Sequence, residues 1–206
     1  AVNTTAQIGR ATVGTLRAFL DADTIRTVSI GQISDGGVFS SNSTAGTVGI
    51  KNINVAGAIT HGIILAQESI GAIRAKSMSG STIAAGTNSS DFSTGSFPTA
   101  FSDNNAKIGS ISLKRGSIKS PSFSDTQVAA PNLGEMHLGR IATKLNSATT
   151  LGLQANSIKS LVAITDKKQS VNLKNLSDPT KLAAVILADK LNLGSFQIKL
   201  QPFATT

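Results

Sequence analysis

One short apolar phrase recurs along this chain, mostly at intervals of about 20 to 25 residues, and a repeat of that length marks a solenoid. Each copy opens on an apolar residue, often followed by glycine, with further apolar residues three and five positions on. The copies are Ile8 to Val13 (IGRATV), Ile25 to Ile30 (IRTVSI), Ile50 to Val55 (IKNINV) and Ile70 to Ala75 (IGAIRA). The series continues with Ile108 to Leu113 (IGSISL), Leu133 to Leu138 (LGEMHL), Ile158 to Ala163 (IKSLVA) and Leu193 to Ile198 (LGSFQI). Other apolar positions follow eight residues on, at Leu16, Ile33, Met78 and Ile141, and about thirteen on, at Val38, Ile63, Ile83 and Val171.

The step from the third to the fifth position is the period of a strand, and the preceding three-residue step calls for a bend or bulge. β-Branched residues dominate the repeated positions, which favours strand over helix. No single copy buries its own apolar face, so neighbouring copies must stack. The reading is all-β: a single domain over 1–206 folded as a right-handed parallel β-helix, a β-solenoid. Handedness follows the strong chirality of parallel crossovers. Its expected core contains Ile25, Val28, Ile30, Ile50, Ile53, Val55, Ile70, Ile73, Ile108, Ile111, Leu113, Leu133, Ile158 and Leu161. An ordinary β-sandwich also alternates apolar and polar residues, but gives no reason for a recurring phrase.

The regularity breaks twice. Residues from about 86 to 107 read as a loop leaving the coil, with Phe92, Phe97 and Phe101 either covering its flank or anchoring another molecule. From about 178 to 191, Asp178 as N-cap and Pro179 at the first helical position begin a helix with Leu182, Val185 and Ile186 on one stripe. That helix is expected to cap or buttress the coil near its C-terminus and then return to it. Thr15 to Ala22 also fits a short capping helix, and Leu138 to Leu145 fits helix as well as strand.

Catalytic and metal chemistry find little support. The chain has no Cys, which excludes thiolate metal sites, disulfides and a Cys nucleophile. It contains no phosphate-binding glycine loop, serine elbow or zinc-protease helix. His61 and His137 fall on different repeats and read as residues of a strand face or corner. Asp21, Asp23 and Asp35 form the best acidic group, and turn positions account for them as well as Ca²⁺ would. With no Trp or Tyr, the chain lacks the aromatic platforms of most sugar and single-strand nucleic-acid sites. Catalytic residues, metal ligands and cofactors are therefore expected to be none.

The charge balance is more informative: 19 Lys and Arg stand against 11 Asp and Glu, a net +8. Lys76, Lys114 and Lys199 share one repeat offset, and Arg115 and Arg140 share the next. Stacked positions would lie about 4.8 Å apart, so Lys76, Lys114, Arg115 and Arg140 form a candidate polyanion-binding stripe. Scattered lysines that keep a Ser- and Thr-rich rod soluble are the plainer alternative. At the chain's extremities, Ala1 to Ile8 and the apolar Ile198, Leu200 and Phe203 are candidate assembly contacts. Asn-x-Ser/Thr sequons begin at Asn3, Asn42, Asn88 and Asn175 and matter only where the producer glycosylates.

The phrases IGSISLKRGSIKS (108–120), IGAIRAKSMSGSTIAAG (70–86) and LGRIATKLNSATTLGLQANSIKSLVA (138–163) resemble repeats of bacterial exported β-helix proteins, the autotransporter passengers and surface adhesins. The resemblance covers most of the chain and lies in its apolar and glycine pattern. It implies an exported, exposed scaffold, extracellular or at the cell surface with its export signal already removed, and it transfers no functional residue. Pectate lyases and polygalacturonases are similar in the coil alone. The chain is read as a non-enzymatic structural protein, a homo-oligomer or filament subunit without membrane insertion. An adhesin for acidic polysaccharide, extracellular DNA or another polyanion is the first alternative, and a carbohydrate-active enzyme the second.

Overall fold

The repeated phrases stand opposite one another. In the computed structural model, which describes residues 2–4, 7–40, 48–87, 101–117, 119–143 and 151–200, Ile8, Ile25, Ile50, Ile70, Ile108, Leu133 and Ile158 are successive partners across parallel strands. Strands are numbered β1 to β19 in chain order. This first ladder consists of β2 (Ile8–Leu16), β4 (Ile25–Ser34), β6 (Val48–Val55), β9 (Ser69–Ala75), β12 (Lys107–Leu113), β15 (Asn132–Ile141) and β17 (Ser157–Thr165). A further sheet of eight strands takes one segment from each circuit: β1 (Val2–Thr4), β3 (Phe19–Ala22), β5 (Gly37–Ser40), β8 (Ile63–Ala66), β11 (Thr82–Ala85), β14 (Gln127–Ala129), β16 (Leu151–Ala155) and β19 (Phe196–Leu200).

Between these two runs a short ladder forms where β4 and β15 turn a corner. Their last residues pair with β7 (Ala58–Thr60) and β13 (Phe123–Ser124), and β10 (Ser77–Ser79) lies between those two strands. All three ladders feed one apolar core. Val28, Ile53, Ile73, Ile111, Met136 and Leu161 stack from the first; Ile33, Ile59, Met78, Phe123 and Ile141 from the short one; Val38, Ile64, Ile83, Val128 and Leu153 from the eight-stranded sheet. These apolar side chains are buried almost completely, and each contributes roughly 1.5–3 kcal/mol of burial. Every residue expected in the core is buried.

The three-residue step shows in the burial. In IGAIRA both Ile70 and Ile73 are buried, and the two residues between them, Gly71 and Ala72, are half-buried. The packing at this glycine position is tight. A Cβ on Gly134 would lie 1.9 Å from the Gly109 carbonyl oxygen, and one on Gly109 would lie 2.4 Å from that of Gly71. In other strands the same position holds the solvent-exposed Arg26, Lys51 and Lys159.

Among the described residues every strand pairing is parallel except one. After β17 the chain reverses through a hairpin, and β18 (Ser170–Leu176) pairs with β17 antiparallel. Helix α1 (Pro179–Ala188) follows, with the Asp178 carboxylate accepting a hydrogen bond from the Thr180 N–H at 2.8 Å. Such a cap contributes about 1 kcal/mol. Leu182 is buried, and Val185 and Ile186 pack on the core. The chain then rejoins the eight-stranded sheet as β19, parallel to β16.

Several expectations are corrected. The phrase Leu193 to Ile198 is no eighth copy in the first ladder: its strand, β19, belongs to the eight-stranded sheet, so Lys199 aligns with Gln154. Ile64 fills the core row expected of Ile63, which turns outward beside Phe39 and Phe101. Residues 15–22 hold the end of β2 and the whole of β3, not a helix, and β15 remains a strand through Ile141, while Leu145 lies outside the described residues. In the loop expected at 86–107, Phe92 and Phe97 lie outside the described residues, while Phe101 packs on the outer apolar cluster of Leu65, Ala84 and Ala129.

Candidate functional site

Two kinds of surface stand out: cations on the outward positions of the first ladder, and the two ends of the stacked strands. Lys76 directly follows β9 and Lys114 directly follows β12. Leu113 pairs with Ala75, and the Lys114 N–H donates to the Ala75 carbonyl at 3.3 Å. Lys76 and Lys114 are thus neighbours on adjacent strands, both exposed, with Arg115 exposed beside them.

Arg140 does not join them. It is 7% exposed; its Nη1 donates to the Thr165 carbonyl at 2.7 Å, and its backbone N–H donates to Ser122 Oγ at 3.2 Å. The cause lies next door, where Gly139 adopts φ +64° and the β15–β17 register shifts between His137 and Gly139. That shift breaks the equal-offset count that aligns Arg140 with Arg115, and the guanidinium becomes a corner clip instead of a surface cation.

Other cations occupy outward positions within the phrases themselves: Arg10 in β2, Arg26 in β4, Lys51 in β6 and Arg74 in β9, all exposed. They sit at three different offsets, so an alignment of equal repeat positions passes over them. The usable signal is simpler: any residue between the apolar positions of a phrase faces solvent. The first carboxylate on this ladder is Glu135, whose Oε1 accepts from Lys159 Nζ at 2.9 Å. That hydrogen bond and the Lys159 charge hold its carboxyl below the usual range.

His61 lies at a corner with φ 48°, its Nδ1 3.2 Å from Asp35 Oδ1, both side chains largely exposed. Its ring lies over Gly80, where an added Cβ would come within 2.3 Å of it. His137 faces solvent on β15. Asp21 lies on β3 opposite Phe39. Among the described residues no three of His, Asp and Glu are grouped so as to hold a metal ion. Among them also, no helix is long and apolar enough to cross a membrane.

The two ends differ. At the N-terminal end, Ile8, Ala11 and Val13 take the inward positions of β2 yet remain half-buried, and β2 pairs on one side only among the described residues. At the other end β18 and α1 lie over the core. They leave a groove of about 880 Å³ between helix and last strand, lined by Ile186, Leu187, Leu191, Phe196 and Ile198. Leu187 is 80% exposed. Of the expected assembly residues, Ile198 lines this groove half-buried, Leu200 is buried in the last core row, and Phe203 lies outside the described residues. No protein-family model matches the chain, and no curated protein or solved structure matches it either.

Proposed function

We propose that the chain is a right-handed parallel β-helix that serves as a non-enzymatic, extracellular structural subunit and joins end to end with copies of itself. The winding reading rests on three ladders visited in the same order on each circuit around one core. A right-handed sense follows from the chirality that parallel crossovers obey in about 98% of cases. The exported setting rests on the resemblance of the phrases and on a surface rich in Ser, Thr and Asn with few charges.

The observation that carries the assembly reading is the contrast between the first two strands of the ladder. Ile25, Val28 and Ile30 are at most 3% exposed, whereas Ile8, Ala11 and Val13, their partners on β2, are only half-buried. An open strand edge beside uncovered core residues is a template for another chain. The groove beside Leu187 gives the opposite end a different apolar surface. Two unlike ends make a heterologous contact, which grows into a filament unless its rotation closes a ring.

Val13→Lys and Leu187→Lys test this, since Val13 is half-buried at the open end of the core and Leu187 is exposed. Each variant alone is expected to stay monomeric by light scattering at concentrations where the parent chain forms large particles. Mixed in equal amounts, they are expected to form a dimer and stop, because each supplies the end that the other lacks. A parent chain that remains monomeric throughout the concentration range overturns the reading, and so does a mixture that forms no dimer.

A further inference from the structure

Over its first five strands, before Glu135 on β15, the outward side of the first ladder carries charge of one sign. β2, β4, β6, β9 and β12 contain no Asp or Glu, and each contains a single cation: Arg10, Arg26, Lys51, Arg74 and Lys107. All five are exposed. The strands follow one another in register, so each cation lies one strand spacing, about 4.8 Å, further along the stack. Lys76, Lys114 and Arg115 extend the field past the ends of β9 and β12. The acids that flank these strands in sequence, Asp23, Asp35, Glu68 and Asp103, all lie outside them; Asp35 faces His61, and Glu68 is 2% exposed.

A groove runs across the same strands, and of these cations Arg74 lines it. About 460 Å³ in volume, it crosses β2, β4, β6 and β9, with Gly14, Gly31 and Ala56 leaving its floor bare. Thr12, Ser29 and Asn54 line one side at paired positions, and Arg74 completes that row. Thr27 and Asn52 stand next to it on the same outward face. The surface thus offers one row of hydroxyls, an amide and a guanidinium at Thr12, Ser29, Asn54 and Arg74, with Arg10, Arg26 and Lys51 at other positions on the same strands, and those strands contain no aromatic residue.

We infer that this face binds a linear acidic polysaccharide laid across the strands, with its carboxylate or sulfate groups on Arg10, Arg26, Lys51 and Arg74 and its hydroxyls on Thr12, Ser29 and Asn54. Arginine holds such oxyanions through paired N–H donors. A pyranose repeat is close to the strand spacing, so a chain laid along the stack passes a new cation-bearing strand about once per sugar. Competing polyanions fit less well. Single-stranded nucleic acid draws its affinity from aromatic stacking, which this face cannot provide. Duplex readers insert a helix or a β-ribbon into a groove, and a broad sheet face does neither. Anionic membranes bind surfaces that add apolar anchors to their charge.

The test compares two variants with the same net charge. Arg10→Gln, Arg26→Gln, Lys51→Gln and Arg74→Gln are combined in one; Lys119→Gln, Lys167→Gln, Lys181→Gln and Lys199→Gln, exposed cations off this ladder, in the other. Binding to polygalacturonate, heparin and duplex DNA is measured by interferometry across a salt series, with a melting curve for each protein. The parent is expected to bind at least one polysaccharide more tightly than DNA; polygalacturonate and heparin separate carboxylate from sulfate recognition. The face variant is expected to lose about tenfold or more in affinity and to show a shallower salt dependence, as fewer counterions are released. The control variant should retain most of the affinity, and both should melt like the parent. Equal losses in the two variants, no polysaccharide binding by the parent, or tighter binding to DNA would each overturn the assignment.

Discussion

Ile111→Asp is expected to abolish the cooperative thermal transition of this protein. Ile111 is fully buried, stacked between Ile73 and Met136 in the column that runs from Val28 to Leu161. The substitution removes an apolar side chain, worth about 2–5 kcal/mol when truncated to alanine. It also buries a carboxylate that must lose its charge or stay unsolvated, at a cost of several kcal/mol more. The sum rivals the roughly 5–15 kcal/mol that hold a typical domain together. Stacked strands share stability mainly with their neighbours. Amide exchange should therefore accelerate first in β9, β12 and β15, with β4 affected less. Ile111→Val, at about 1 kcal/mol, should fold normally. An Ile111→Asp protein that melts within a few degrees of the parent would refute the core assignment.

A second large effect is expected where no contact is lost. Gly134→Ala places a Cβ against the Gly109 carbonyl oxygen, a backbone atom that cannot rotate away. One strand must move from its neighbour, at the roughly 1–3 kcal/mol typical of overpacking. Gly9→Ala supplies the control: it occupies the corresponding position of β2, where an added Cβ meets nothing within 4 Å. Chemical denaturation should show a lowered midpoint for Gly134→Ala and almost none for Gly9→Ala. Equal midpoints would mean that adjacent strands are not stacked as closely as described.

The first ladder was legible because its inward residues fall at fixed steps and are mostly β-branched, so Ile25, Val28 and Ile30 could be read from spacing alone. The eight-stranded sheet was harder. Its strands begin after corners of unequal length, and one extra residue before Ile64 moves the core position off the expected Ile63. Leu193 to Ile198 misleads for a related reason: β17 and β18 have already taken the place at the end of the first ladder, so after α1 a phrase with the right letters enters the eight-stranded sheet. Spacing also says nothing about a bulge at Gly139, and that bulge decides whether Arg140 is a surface cation or a buried clip. The basic face is visible in the letters of IGRATV, IRTVSI, IKNINV and IGAIRA once their inward positions are removed. The half-buried state of Ile8, Ala11 and Val13 is not, because it depends on what lies beyond β2.

Negative-stain electron microscopy of the 206-residue chain across a range of concentrations tests the end-to-end account most directly. Eight strands at a spacing of about 4.8 Å give each subunit a length of roughly 40 Å along the stack. The account predicts unbranched filaments whose lengths rise with concentration in multiples of that unit, and single short rods for Val13→Lys at every concentration. Uniform single-subunit particles of the parent chain at the highest concentration would contradict it.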